Sequence, residues 1–237
     1  MNSNETLARQ GYLMLPSVFS ADETQRIGQR LMDDLTAHSG PAVLKSRERI
    51  YGSRNLLAAS PWLCDLAHSP VLDELLRATL GENVGLVRGL FFDKPPDRSW
   101  SLPWHRDRTI AVKDNTLPTT SFKNPTLKAG IAHFEAPDQL LANMLTLRIH
   151  LDAMTAENGP LAVIPGSHLL DTAQEKHPIV LSAAAGDVLA MRPLLSHSSS
   201  MSQAGTAAHR RIVHLEFAAD MALPDGIQWH DFLPLQP

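Results

Sequence analysis

Trp104-His105-Arg106-Asp107 sets an imidazole and a carboxylate two residues apart, just after Pro103. At the end of a strand, residues i and i+2 point to the same side. His105 and Asp107 can therefore aim a nitrogen and an oxygen at one point. A further histidine would complete a two-histidine, one-carboxylate facial set, which holds iron(II) and leaves positions open for a co-substrate and dioxygen. His197, within Leu194-Leu195-Ser196-His197-Ser198, is the candidate. The chain has 11 histidines, so an H-x-D arises readily by chance. A second one, His150-Leu151-Asp152, is present, as is a related His133-Phe134-Glu135.

The elements that must carry these residues discriminate between the pairs. From Val84 onward, short apolar runs alternate with turn signals: Val84–Phe92, Met144–Leu151, Leu161–Ile164, Ile179–Leu181, Val188–Met191 and Ile212–Ala218. Pro95-Pro96, Asn158-Gly159, Pro165-Gly166 and Gly186-Asp187 punctuate them. This is the texture of a jelly roll. In such a core the metal-binding H-x-D sits on the second strand and the distal histidine on the seventh, with four strands between. Between Asp107 and His197 the four runs starting at Met144, Leu161, Ile179 and Val188 satisfy that count, whereas only three follow Asp152. His105 and Asp107 are therefore the expected pair.

The first third reads as largely helical. Gly11 to Leu15 is a short strand stopped by Pro16. Ser20-Ala21-Asp22-Glu23 has the form of a capping box, and Ile27, Leu31 and Leu35 then form one apolar helical stripe. Ser60-Pro61 and Ser69-Pro70 each put a capping residue before a proline at the first helical position, and the later helix should end at Leu80, before Gly81. Asp114 to Lys128 reads as a long loop, and Pro137 to Asn143 as a short helix. The expected architecture is mainly β with helices: a double-stranded β-helix (jelly-roll, cupin-like) core over 84–219, with helices from a largely helical part, 1–82, packed on one sheet. The whole of 1–237 forms one domain.

Bulk properties narrow the function. A net charge of −4 gives no basic surplus for nucleic acid or a membrane surface. The single cysteine, Cys64, excludes an intrachain disulfide and suits a reducing, cytoplasmic setting. No apolar run reaches the ~20 residues that span a bilayer.

Several motifs together resemble the phytanoyl-CoA dioxygenase family. Glu157-Asn158-Gly159-Pro160-Leu161 runs into Ile164-Pro165-Gly166-Ser167-His168. Gly186-Asp187-Val188-Leu189 leads towards His197, and an arginine follows on the next strand. The opening Gly11-Tyr12 strand and capped helix are similar too, so the resemblance extends from about Gly11 to Phe217. It implies iron(II) held by His105, Asp107 and His197, 2-oxoglutarate as co-substrate, O2, and hydroxylation of a small-molecule C–H bond with release of succinate and CO2. It also implies an arginine for the far carboxylate of 2-oxoglutarate. Arg210 is that residue, although 12 residues separate it from His197 where the family usually has about ten. Halogenase relatives replace the metal-binding carboxylate with Gly or Ala, so Asp107 argues for hydroxylation.

Strand alternation sorts the remaining residues. Leu145, Leu147, Ile149 and Leu151 share one face and should pack on the helices. Arg148 and His150 share the other and are candidates for the substrate, as are His133 and Trp104. His133 otherwise reads as a surface residue, Lys94 as a solvated lysine, and Asn158, Gly159, Pro165, Gly166 and His168 as turn architecture. Trp104 would shield the metal or pack. Two other functions remain open: a cupin-like isomerase or hydrolase using zinc or manganese, and a non-catalytic jelly-roll binding module.

Overall fold

The computed structural model describes residues 3–38, 40–46, 49–169 and 177–236. In chain order the strands are β1 (Tyr12–Leu15), β2 (Val43–Ser46), β3 (Arg49–Ser53), β4 (Gly85–Lys94), β5 (Leu102–His105), β6 (Thr109–Val112), β7 (Lys123–Lys128) and β8 (Ile131–Glu135). They continue as β9 (Met144–His150), β10 (Leu161–Val163), β11 (Ile179–Val180), β12 (Val188–Met191), β13 (His197–Ser199), β14 (Arg210–Ala218) and β15 (Leu233–Pro234). The large sheet runs β1-β12-β9-β14-β4-β3-β2, with β15 also on β4. Facing it is a smaller sheet, β11-β10-β13-β5, and β6-β8-β7 forms a third. The chain thus has the jelly-roll core that its turn-punctuated apolar runs predict.

The large sheet is two-faced because β9 and β14 alternate. Leu145, Leu147, Ile149 and Leu151, with Val213, Leu215 and Phe217, join one buried apolar cluster with Ile27, Leu31 and Leu35. The last three lie on α2 among the helices α1 (Ser3–Gln10), α2 (Ala21–Ala37), α3 (Leu56–Ala59), α4 (Pro70–Leu80) and α5 (Asp138–Ala142). The Ser20 hydroxyl accepts from the Glu23 amide at 3.3 Å, and Glu23 accepts from the Ser20 amide at 2.7 Å. That reciprocal box starts α2 as the sequence predicts. Gly81, at φ 89°, ends α4. The opposite face of the large sheet is free to be polar, and that face carries the site.

Three expectations need correction. The first third, which carries α1 to α4, also holds two unforeseen strands: β2 and β3 pair as a hairpin and extend the large sheet past β4. Residues 114–128 are not all loop, because Lys123–Lys128 forms β7 against β8. Its sequence, KNPTLK, hides this: an exposed edge strand needs no apolar alternation and tolerates Pro125. Ser60 and Ser69 do precede helices, the first a 3-10 turn over Pro61–His68, but neither side chain caps. Ser60 instead donates to Asp34 at 2.7 Å, tying that turn to α2.

Candidate metal centre

β13 pairs antiparallel with β5 so that His197 lies directly across from His105, and their rings sit 4.2 Å apart, centroid to centroid. Asp107 follows just past the end of β5, its amide fixed to the Pro193 carbonyl at 2.9 Å. Its carboxylate oxygens lie 3.9 Å from His105 Nε2 and 3.7 Å from His197 Nε2. The three donor atoms fall within 4.8 Å of one another, the mutual spacing that ligands at ordinary metal–ligand distances require.

Each histidine is preset for this task. His105 Nδ1 is 2.7 Å from the Pro103 carbonyl oxygen, and His197 Nδ1 is 2.9 Å from that of Leu195. A carbonyl only accepts, so the proton resides on Nδ1 and the Nε2 lone pair is left for a metal. Burial lowers the pKa of His197, with Asp107 pulling the other way. Burial by itself would raise Asp107, but the charges of His197, His214, Arg88 and His105 hold it below its usual value. Two imidazole nitrogens and a carboxylate oxygen suit a divalent first-row metal such as iron(II).

The three residues open on a cavity of about 630 Å³ between the sheets, within the range of small-molecule sites. Its floor is the polar face of β9, β14 and β4. Register places Arg148 beside His214, and Arg210 beside Lys94. Arg148 and Arg210 are 8% and 5% exposed. Among the described residues neither has an acidic partner; Arg210 makes only a 3.9 Å contact with the Met154 sulfur. Burial lowers Arg148 to about 9, helped by Arg210, and lowers Arg210 to about 10, so both remain cations at neutral pH. Burial also brings Lys94 to about 7, with Arg210 and Arg148 adding to the effect.

The other candidates separate clearly. Arg211 lies on the opposite face and closes a fork on Asp152, so the second H-x-D spends its carboxylate on an ion pair. His150 is fully buried with neither ring nitrogen bonded, and lies behind the cavity lining. His133 is buried and lines the cavity instead of lying at the surface. Trp104 is 44% exposed and is not among the residues lining the cavity, so it does not pack in the core. Lys94 is not solvated: it is 1% exposed and donates to the Ser199 hydroxyl and the Ser200 carbonyl. Asn158 is architecture, its amide tied to the carbonyls of Ala153 and His209, which anchors the chain next to Arg210.

Sequence reading missed Arg54, Arg88, Arg98, Trp100 and Lys128, all of which line the cavity; His214 lies on the polar face of β14 that alternation with Arg210 predicts. Period-two reading of β4 would have found Arg88, which shares a face with Lys94. Arg54 and Lys128 carried no signal, since they arrive from the unforeseen hairpin and edge strand.

Comparison with known proteins agrees with this geometry. The sequence model described as phytanoyl-CoA dioxygenase (PhyH) matches residues 7–211. Ectoine dioxygenase of Sphingopyxis alaskensis is 28% identical over 166 residues, which is 68% of this chain and 47% of that enzyme. The chain thus spans about half the length of that curated relative. Among solved structures, EctD from S. alaskensis with bound Fe superposes with a TM-score of 0.68 at 23% identity, over 90% of this chain and 74% of that one. The 2-oxoglutarate-dependent epimerase SnoN of nogalamycin biosynthesis also gives 0.68, at 17% identity, covering 99% and 95%. At these identities the two structures speak for the fold.

Proposed function

The chain belongs to the phytanoyl-CoA dioxygenase family, and from that premise we propose that it is an iron(II)- and 2-oxoglutarate-dependent dioxygenase that hydroxylates a C–H bond of a small molecule. One observation carries the reading. Two preset Nε2 atoms and a carboxylate converge at the wall of a cavity whose floor holds two buried, unpaired guanidinium groups. Unpaired buried cations are costly, and a dicarboxylate co-substrate relieves that cost. When bound, iron(II) with 2-oxoglutarate and O2 supplies the oxidation, one oxygen atom entering the substrate and the other the succinate formed with CO2.

The chain's own residues hold and orient. His105, Asp107 and His197 are the metal ligands, with the Pro103 and Leu195 carbonyls locking the two rings. Arg210 takes the far carboxylate of 2-oxoglutarate, as its planar guanidinium fits a two-point contact. Asp107 fills a position that a halide would need, which favours hydroxylation over halogenation. The reading also assigns a reducing compartment, where a lone thiol such as Cys64 stays free. Among the described residues no helix is long and apolar enough to cross a membrane.

Metal analysis with a succinate assay tests this. Iron(II), 2-oxoglutarate and oxygen should give slow succinate release without substrate, and added chloride or bromide should yield no halogenated product. Absence of succinate, or turnover supported by zinc without 2-oxoglutarate, would favour the isomerase or hydrolase reading.

A further inference from the structure

The chain carries a net charge of −4, yet its cavity is strongly basic. Six basic side chains line it, Arg54, Arg88, Arg98, Lys128, Arg148 and Arg210, while the acidic lining is Asp107. Elsewhere four arginines are paired with acids, Arg49 with Asp97, Arg77 with Asp73, Arg108 with Asp138 and Arg211 with Asp152, while Arg106 and Arg192 donate to backbone carbonyls. Within the cavity wall Arg88 is likewise neutralised, by Glu216 at 2.6 Å. The other five have no acidic partner within ion-pair distance among the described residues. Arg98 stacks over the Tyr51 ring at 3.8 Å, and Lys128 donates to the Thr109 hydroxyl at 2.8 Å.

The reaction components do not consume this surplus. Iron(II) and the 2-oxoglutarate dianion cancel in formal charge. Arg210 is occupied by the far carboxylate, and Arg148 lies near enough to feel the charges of both Arg210 and Asp107. Arg54, just past the end of β3 and exposed, and Lys128, at the end of β7 and half-buried, therefore remain on the solvent side of the cavity with no ion-pair partner among the described residues. Burial lowers the pKa of Lys128, the charges of Arg88 and Arg54 lower it further, and Asp107 and Glu216 oppose them. Cations that outnumber the acids around them and lack ion-pair partners favour an anion. Beside them Trp100, Leu44 and Leu102 give the cavity an apolar wall.

We propose that the substrate is a small molecule bearing a carboxylate or phosphate oxyanion, which Arg54 and Lys128 seat at the mouth while its apolar part lies against Trp100. This rests on the iron- and 2-oxoglutarate-dependent reading, because that reading fixes which cations the co-substrate takes.

Calorimetry on protein loaded with manganese(II) and 2-oxoglutarate under argon tests it with four probes of one shape. Phenylacetate and phenyl phosphate carry the oxyanion; phenylacetamide and phenethylammonium do not. At least one anion should bind about tenfold or more tighter than the amide and the ammonium, and which one does identifies the oxyanion. Arg54→Gln with Lys128→Gln should remove that preference, and Arg54→Lys with Lys128→Arg should retain it. The proposal is overturned if no probe binds, if the amide or ammonium binds as well as the anions, or if the glutamine variant keeps the preference. A separate titration of 2-oxoglutarate onto the manganese protein keeps the two readings distinguishable. Saturable co-substrate binding without anion preference sinks this inference alone, and anion preference without co-substrate binding sinks the oxygenase reading.

Discussion

Arg211 grips Asp152 through a two-point fork, Nε to one carboxylate oxygen at 2.8 Å and Nη2 to the other at 2.7 Å. Its sequence neighbour Arg210 points the opposite way, into the cavity, with no carboxylate beside it. The pleat of β14 enforces this division, since adjacent side chains leave a strand on opposite faces. Arg210→Ala should therefore remove a charge-assisted contact worth about 2 kcal/mol or more, raising the dissociation constant of 2-oxoglutarate about thirtyfold. Arg211→Ala should leave that constant nearly unchanged and cost stability instead, about 1 kcal/mol for a partly exposed pair. Calorimetry and thermal melting of the two variants separate these effects, and a reversed ranking would refute the assignment of faces.

How far the sequence revealed this depended on how much each element relied on its own pattern. The arginines were legible because β14 alternates cleanly, apolar towards the helices and polar towards the cavity. The capping box at Ser20 and the stop at Gly81 were legible because both are local. β2 and β7 were not, because edge strands impose no strict apolar period, nor was β3, a five-residue strand whose buried end is Gly52-Ser53, and Lys128 went unseen with them. Lys94 was read as a surface group because its burial depends on strands far away in sequence. Lys94 is enclosed by Ser199 and Ser200, more than a hundred residues on.

Lys94 makes co-substrate binding pH-dependent. Burial favours its neutral form and brings its pKa to about 7. A dianion arriving near the protonated amine is attracted, whereas the neutral amine gives no such help. Affinity for 2-oxoglutarate should thus be higher below about 7 and fall as pH rises through it. Titrations of the manganese-loaded protein across that range should show this slope, and Lys94→Met should flatten it. An affinity that rises with pH in the native protein would contradict the account.

Gly186 is a structural requirement. Its φ is 91°, and an added Cβ would overlap the Phe19 carbonyl oxygen. The adjacent Asp187 accepts from the amides of Ser17 and Ala184, so the turn cannot easily shift. Gly186→Ala should destabilise the fold by upward of about 2 kcal/mol, read as a lower midpoint in thermal or urea unfolding. Gly81→Ala has an unfavourable φ but open space, and should cost about 1 kcal/mol.

The metal assignment is tested most directly by iron(II) binding under anaerobic conditions, comparing variants of the two H-x-D pairs. His105→Ala, Asp107→Ala and His197→Ala should each abolish tight binding while the protein stays folded by circular dichroism. His150→Ala and Asp152→Ala should retain one iron per chain at close to native affinity. Iron kept by the first group and lost by the second would move the centre to the other pair and contradict the account.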